Sequence, residues 1–487
     1  MKKYHFFTCS KICTLALTGV GALFLASCAK DGFDDESFDG GVSNTQVAAV
    51  TADAISITAS ADGKSQTISW PVVMGAGGYR VNLIDISNPQ EPIINDSIVD
   101  GCSVTAKREE DANYKLTILT LGNTKKNNTD ASEVTTKEFS TFSKTYGIIP
   151  NGADIYTYFQ ENPLPQEPLG EELCFDLTPG GEYTLSNKVD FGGHRVTIRS
   201  TSKYEYARIT MKEGSTFTTF AGFRFKYVDI DATELNHSIL TLSDEPNDSI
   251  MDKIGTNGYY FIMDPITFQN SNIKSLGTNI LSTNTAKYDI RNVLISNCVI
   301  EIDANSTKSS AFVDTKSGYI TSFTAENSTI YAGDHTEKFF IQSGGRPKDI
   351  TESETRSVSI INCTLANLTW SKNFCDYHNG QKTYYYTLLN TIVYDCGKPN
   401  FVTGLNKGQD SENPTWNVDN NTFWRAGADA SAKQIGDDPS ECKWITNNKG
   451  NNTVVTTDPE IDPATGDFTP AIAQQAAQQG DPRWYTK

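Results

Sequence analysis

Ile295-Ser296-Asn297-Cys298-Val299-Ile300 and Ile360-Ile361-Asn362-Cys363-Thr364-Leu365 are two copies of one short motif: apolar residues, an asparagine, one or two small residues, then apolar residues again. It also stands as Phe268-Gln269-Asn270-Ser271-Asn272-Ile273, Glu326-Asn327-Ser328-Thr329-Ile330, Leu389-Asn390-Thr391-Ile392-Val393, Asn420-Asn421-Thr422-Phe423 and Asn451-Asn452-Thr453-Val454-Val455. Anchored on the residue before the last apolar one, or before the last apolar pair, the copies fall at 272, 299, 329, 364, 391, 422 and 453, with spacings of 27, 30, 35, 27, 31 and 31. A constant core with a variable interval near thirty residues is the mark of a solenoid whose loops differ from turn to turn. Weaker copies precede it at Val196-Thr197-Ile198 and Tyr227-Val228-Asp229-Ile230.

The segments lack a 3.6-residue period and good helix formers, which excludes helical repeats. No leucine ladder runs through them either. Short apolar strands stacked coil on coil fit a right-handed parallel β-helix, in which neighbouring coils bury one continuous interior. An inward asparagine at each turn can bond its counterpart on the next coil and satisfy buried backbone groups. Cys298 and Cys363 share one repeat position and read as interior ladder residues.

An open coil exposes strand edges, so the ends need covering. Asp154 before Ile155, Tyr158 and Phe159 predicts a short capping helix that stops at Asn162-Pro163. At the far end Asp458-Pro459 and Gly480-Asp481-Pro482-Arg483-Trp484 form a tail. Ahead of the coils, residues 51–143 alternate apolar and polar positions in short runs broken by turn residues. Trp70, the Gly78–Ile84 strand and Tyr114 opening a late strand resemble a fibronectin type III module, with Tyr114 in the tyrosine-corner position. The chain is thus divided into 1–27, 28–50 (an acidic flexible linker), 51–143 and 146–487, all-β throughout apart from the cap.

The first segment is an address. Lys2, Lys3 and Lys11 precede an apolar run of 13 residues, Thr14 to Ala26, whereas a spanning helix needs roughly 20. This order is that of a secretory signal. Leu25-Ala26-Ser27-Cys28 resembles a bacterial lipobox, which implies acylation of Cys28 and cleavage before it. The acidic cluster Asp34-Asp35-Glu36 resembles the surface-export signal of Bacteroidota lipoproteins. Lipobox, sandwich module, Asn-punctuated coils and the Gly-Asp-Pro-Arg-Trp ending together resemble Bacteroidota surface lipoproteins of the pectin-lyase-like superfamily. The resemblance implies an outer-membrane, lipid-anchored protein facing the exterior, in a glycan-utilisation system with other surface proteins as partners.

Composition narrows the chemistry. The 487 residues carry 59 acidic and 41 basic side chains, a net charge of −18, which disfavours nucleic acid. Five histidines, none at a metal-ligand spacing, argue against a His-based metal enzyme. Ten cysteines without a CxxC give no zinc or thioredoxin-like motif. The fold's implied activities are lyase, glycoside hydrolase and esterase, but fold alone does not assign one. Asp229 and Asp231, two apart on one strand face, are candidates for calcium or an acid pair. Arg346, Asp376 and His378 are the candidate catalytic groups. Sugar sites use aromatic platforms beside amides and carboxylates, and Trp370, Tyr377, Tyr384, Tyr386 and Trp416 form the candidate platform. The expectation is a polysaccharide-binding β-helix, pectin-like or another uronate polymer among the ligands. A lyase or hydrolase on the same groove and an adhesin are the alternatives.

Overall fold

The computed structural model describes residues 41–345, 356–377, 384–397, 401–405, 415–426, 451–455 and 457–486. Two compact units divide between residues 142 and 143.

The first unit is a β-sandwich of two antiparallel sheets. One holds Ser56–Ala59, Ser65–Ser69 and Ser103–Lys107; the other orders Ile94–Val99, Ala76–Asp85, Asn113–Gly122 and Thr135–Ser140. Alternation puts Tyr79, Val81 and Leu83 opposite Leu116 and Ile118 in one core with Ile68 and Trp70. The buried Tyr114 accepts the backbone N–H of Glu109, five residues upstream, at 2.8 Å. The expected flexible linker is corrected in its last part. Residues 42–50 dock on this unit, with Val47 and Val50 buried and backbone bonds from Asn44 to Lys126 and from Val47 to Thr129. Two apolar side chains in that stretch find a core to enter, and the polar composition around them masked this.

The second unit is a parallel β-helix. Its chain visits three sheets in fixed rotation, as in Tyr288–Ser296, Val299–Ile302, Ala311–Thr315 and then Tyr319–Glu326, which returns to lie parallel beside Tyr288–Ser296. Among the described residues these sheets have ten, seven and twelve strands. In the ten-stranded sheet Asn272, Val299, Thr329, Thr364, Ile392, Thr422 and Thr453 stand in register on successive coils. The repeat anchors therefore mark structural columns, except that position 391 gives way to Ile392.

Inside the coils like stacks on like. Ile209, Ile230, Ile273, Ile300 and Ile330 form one inward column. Phe312, Phe340 and Phe374 stack with centroids 5.5 and 4.7 Å apart. Asp154 caps the helix Ile155–Glu161 by accepting from Thr157 N–H at 3.1 Å, and Phe159 packs on Phe175 and Phe191 at that end of the core. The asparagines are not inward, as expected, but half-buried at the corners. Asn270, Asn297, Asn327, Asn362, Asn390 and Asn420 all have φ between 46° and 53°. Asparagine tolerates that left-handed conformation better than most residues. The next residue turns inward instead, which buries Cys298 and Cys363 completely.

Candidate glycan cleft

The strands Ala207–Met211, Val228–Asp231, Asn272–Leu276, Val299–Ile302 and Thr329–Ala332 are adjacent in the ten-stranded sheet. Their inward isoleucines leave the flanking residues facing out, because successive side chains alternate across a strand. The outward residues Arg208, Asp229, Asp231, Asn272, Lys274, Val299, Glu301 and Tyr331 line a cleft of about 560 Å³.

Its polar groups are held in place locally. Asn272 Nδ2 donates to Asp229 at 2.8 Å across neighbouring coils. The Thr233 hydroxyl and backbone N–H donate to Asp231 at 2.6 and 3.1 Å. The Thr233 hydroxyl, with its N–H, Lys274 and Arg208 behind it, holds the Asp231 carboxyl below the usual carboxylate range despite partial burial. Asp231 is therefore an ionised acceptor at neutral pH. The strand pairing shifts between Ile273 and Leu276, where Ser275 has φ 54° and turns its N–H to the Glu301 carboxylate at 3.1 Å. Such irregularities re-aim side chains locally. Arg208 and Lys274 are exposed cations, and Tyr331 supplies a half-buried ring.

A second concavity of about 510 Å³ lies along the seven-stranded sheet, between Thr216, Thr241, Ser282 and Asn279. Its hydroxyls largely bond one another, as Thr216 with Thr241 at 3.2 Å and Ser238 with Ser282 at 2.7 Å. No Phe, Tyr or Trp side chain lines it, its one ring being the imidazole of His237. The cleft on the ten-stranded sheet is the better equipped for a ligand.

The aromatic platform expected from the sequence is corrected. Tyr386 and Trp416 share an inward column with Phe323 and Val358, so both are buried and stack on each other at 4.5 Å. Tyr377 is buried against the guanidinium of Arg356, 4.5 Å from its ring centre, and Arg356 meets Tyr319 on its other side at 4.3 Å. Trp370 is half-buried, but its ring lies between the imidazole of His335 at 3.9 Å and the guanidinium of Arg425 at 3.7 Å. A sugar would find both faces taken. Tyr384 pairs in register with Arg356, and it is Tyr385 of that run that is exposed.

Asp376 accepts from Gln342 Nε2 at 2.9 Å on the seven-stranded sheet, away from Asp229 and Asp231. Cys28, Arg346 and His378 lie outside the described residues. Asp229 and Asp231 do share one face, but among the described residues no three His, Cys, Asp or Glu side chains come together around one ion site. A bound calcium would thus draw further ligands from water or the ligand.

A β-sandwich unit followed by a parallel β-helix with an open lateral cleft is the class that fold and site define. Residues 1–178 match a family described as a domain of unknown function, DUF4992, and residues 181–333 match a second, domain of unknown function DUF4957. Among solved structures the chain is similar to pectate lyase PelI from Erwinia chrysanthemi in complex with tetragalacturonic acid, at 11% identity over 79% of this chain and 87% of that one, with a TM-score of 0.14. A second structure of that pectate lyase gives 12% identity over 80% and 88%, again with a TM-score of 0.14. No curated protein matches the chain.

Proposed function

We propose that this protein binds a polysaccharide in the cleft on the ten-stranded sheet, as a lipoprotein tethered through Cys28 to the outer membrane and facing outward. The observation that carries the reading is the cleft's lining. Carboxylates, an amide, two cations and one aromatic ring converge there on an elongated concavity, the mixture that orients a polyhydroxylated ligand. The three carboxylates outnumber Arg208 and Lys274, so a neutral glycan is favoured over a polyuronate, which would need calcium between like charges. The Tyr114 contact supports a fibronectin-like spacer for the first unit.

The test is retention of the purified protein on xylan, mannan, galactan and arabinan, with polygalacturonate and chondroitin sulfate run with and without calcium. Arg208→Ala and Lys274→Ala should each weaken binding to the retained glycan by about tenfold, the effect of about 1.4 kcal/mol. Retention only of the uronates with calcium would move the assignment to an acidic polymer. A rise in unsaturated-product absorbance would make the protein a lyase. Unchanged retention in both variants would remove the cleft from the function.

A further inference from the structure

One outward column of the ten-stranded sheet changes abruptly at one strand. Asp229, Asn272 and Val299 are half-exposed, whereas Thr329, Thr364, Ile392 and Thr422, the next four in the same column, are buried. Nothing in strand alternation explains this, since all seven face away from the coil interior. The cause is the C-terminal tail, which lies on the sheet. Trp484 Nε1 donates to Thr329 Oγ1 at 2.8 Å, and that hydroxyl donates to Asp481 at 2.9 Å. Asp481 N–H bonds Thr364 Oγ1 at 3.1 Å, Gly480 N–H bonds Asn390 O at 2.8 Å, and Thr422 Oγ1 donates to Gln479 at 2.6 Å. Beneath it Ile461 and Phe468 join Ala366 and Ile392 in a small apolar core.

The tail thus forms a step across the sheet. Phe468 meets the Tyr331 ring edge-on at 4.6 Å and backs on Trp484 at 5.4 Å, so the wall stands where the cleft lining ends. In the other direction the columns run on to Glu182 and Thr184, paired with Arg208 and Thr210, and Glu182 is largely exposed. Within the β-helix unit the tail closes one end of the cleft, and the other end runs out to the exposed Glu182.

We infer that the cleft takes the terminus of a glycan chain, not an internal stretch of it, with the terminal sugar against Tyr331 and the tail. This rests on the reading that the cleft binds a glycan. Five strands at about 4.8 Å separation give a run of about 19 Å, which holds roughly four pyranose units. A longer chain leaves past Glu182.

The experiment is calorimetric titration of the whole protein with xylan, mannan, galactan and arabinan oligosaccharides of graded length, followed by the retained polymer in two preparations of different chain length. Affinity should rise by about tenfold from the dimer to the tetramer and by less than about twofold beyond it. Protein bound at saturation should scale with the concentration of chain ends, not with polymer mass. Saturation that scales with mass, at a fixed number of ends, overturns the inference and leaves glycan binding standing. Absence of binding to every member of the panel removes both.

Discussion

The side-chain amide of Asn362 donates to Oδ1 of Asn327 on the preceding coil at 2.9 Å. Asn390 donates to Asn362 at 2.8 Å and Asn420 to Asn390 at 2.8 Å, so one run of amides links four coils along a corner. Each of these residues serves twice, as a left-handed corner and as a rung. Asn362→Ala should lose both and destabilise the β-helix by about 2–4 kcal/mol, a sum of left-handed strain and unpaired amides. Asn362→Gly keeps the corner and should cost less. Denaturant unfolding of the two variants checks the order, and equal losses would deny the backbone role.

The buried thiols predict a limit in alkali. Burial pushes Cys298, Cys363 and Cys375 up to about 12, and Cys396 higher still. In the unfolded chain a cysteine ionises near 8.5. These groups have folded values above their unfolded ones, so their contribution is intact below about pH 8.5 and is lost as pH climbs toward 12. Melting temperature should fall across that window, and less steeply in a Cys298→Ala, Cys363→Ala double variant. A thiol reagent at pH 8 should leave these residues unmodified until the protein is denatured.

Tyr386 and Trp416 separate core from surface. Tyr386→Ala removes a buried ring from a stack and should cost about 3–5 kcal/mol, the range for large aromatic truncations. Glycan retention by the folded fraction should not change. A variant of wild-type stability with reduced retention would restore these rings to a binding face.

Cys28→Ala should release the protein from the membrane fraction and abolish labelling by a radioactive fatty acid, since acylation supplies the anchor. Persistent label on the variant would contradict the lipobox reading.

The repeat was legible because the corner imposes a residue type. Left-handed φ and a rung favour asparagine, so Asn297, Asn327 and Asn362 show through variable loops. The cleft was less legible, since its residues come from five coils between positions 208 and 331 and none forms a motif alone. A signal did exist. The position two after the anchors at 272, 299 and 329 reads Lys274, Glu301 and Tyr331, and the outward column from Glu301 continues through Tyr331, Ala366, Tyr394 and Trp424, where only the anchor at 391 is off by one. Tyr377, Tyr386 and Trp416 misled for the opposite reason. Aromatic residues stack inside a coil as readily as they bind sugars, and only register distinguishes the two.

The tail also sets an order of events. Contacts between coils join residues about thirty positions apart, so coils can assemble one after another as the chain emerges from the ribosome. Trp484 and Asp481 reach Thr329 across 155 and 152 positions. That junction must wait until residues 481–484 have been made. Until Ile461 and Phe468 have been made and seated, Ile392 and Ala366 lie bare, and a chain halted before them carries an uncovered apolar strip into a crowded compartment, where the nearest partner for it is another unfinished copy.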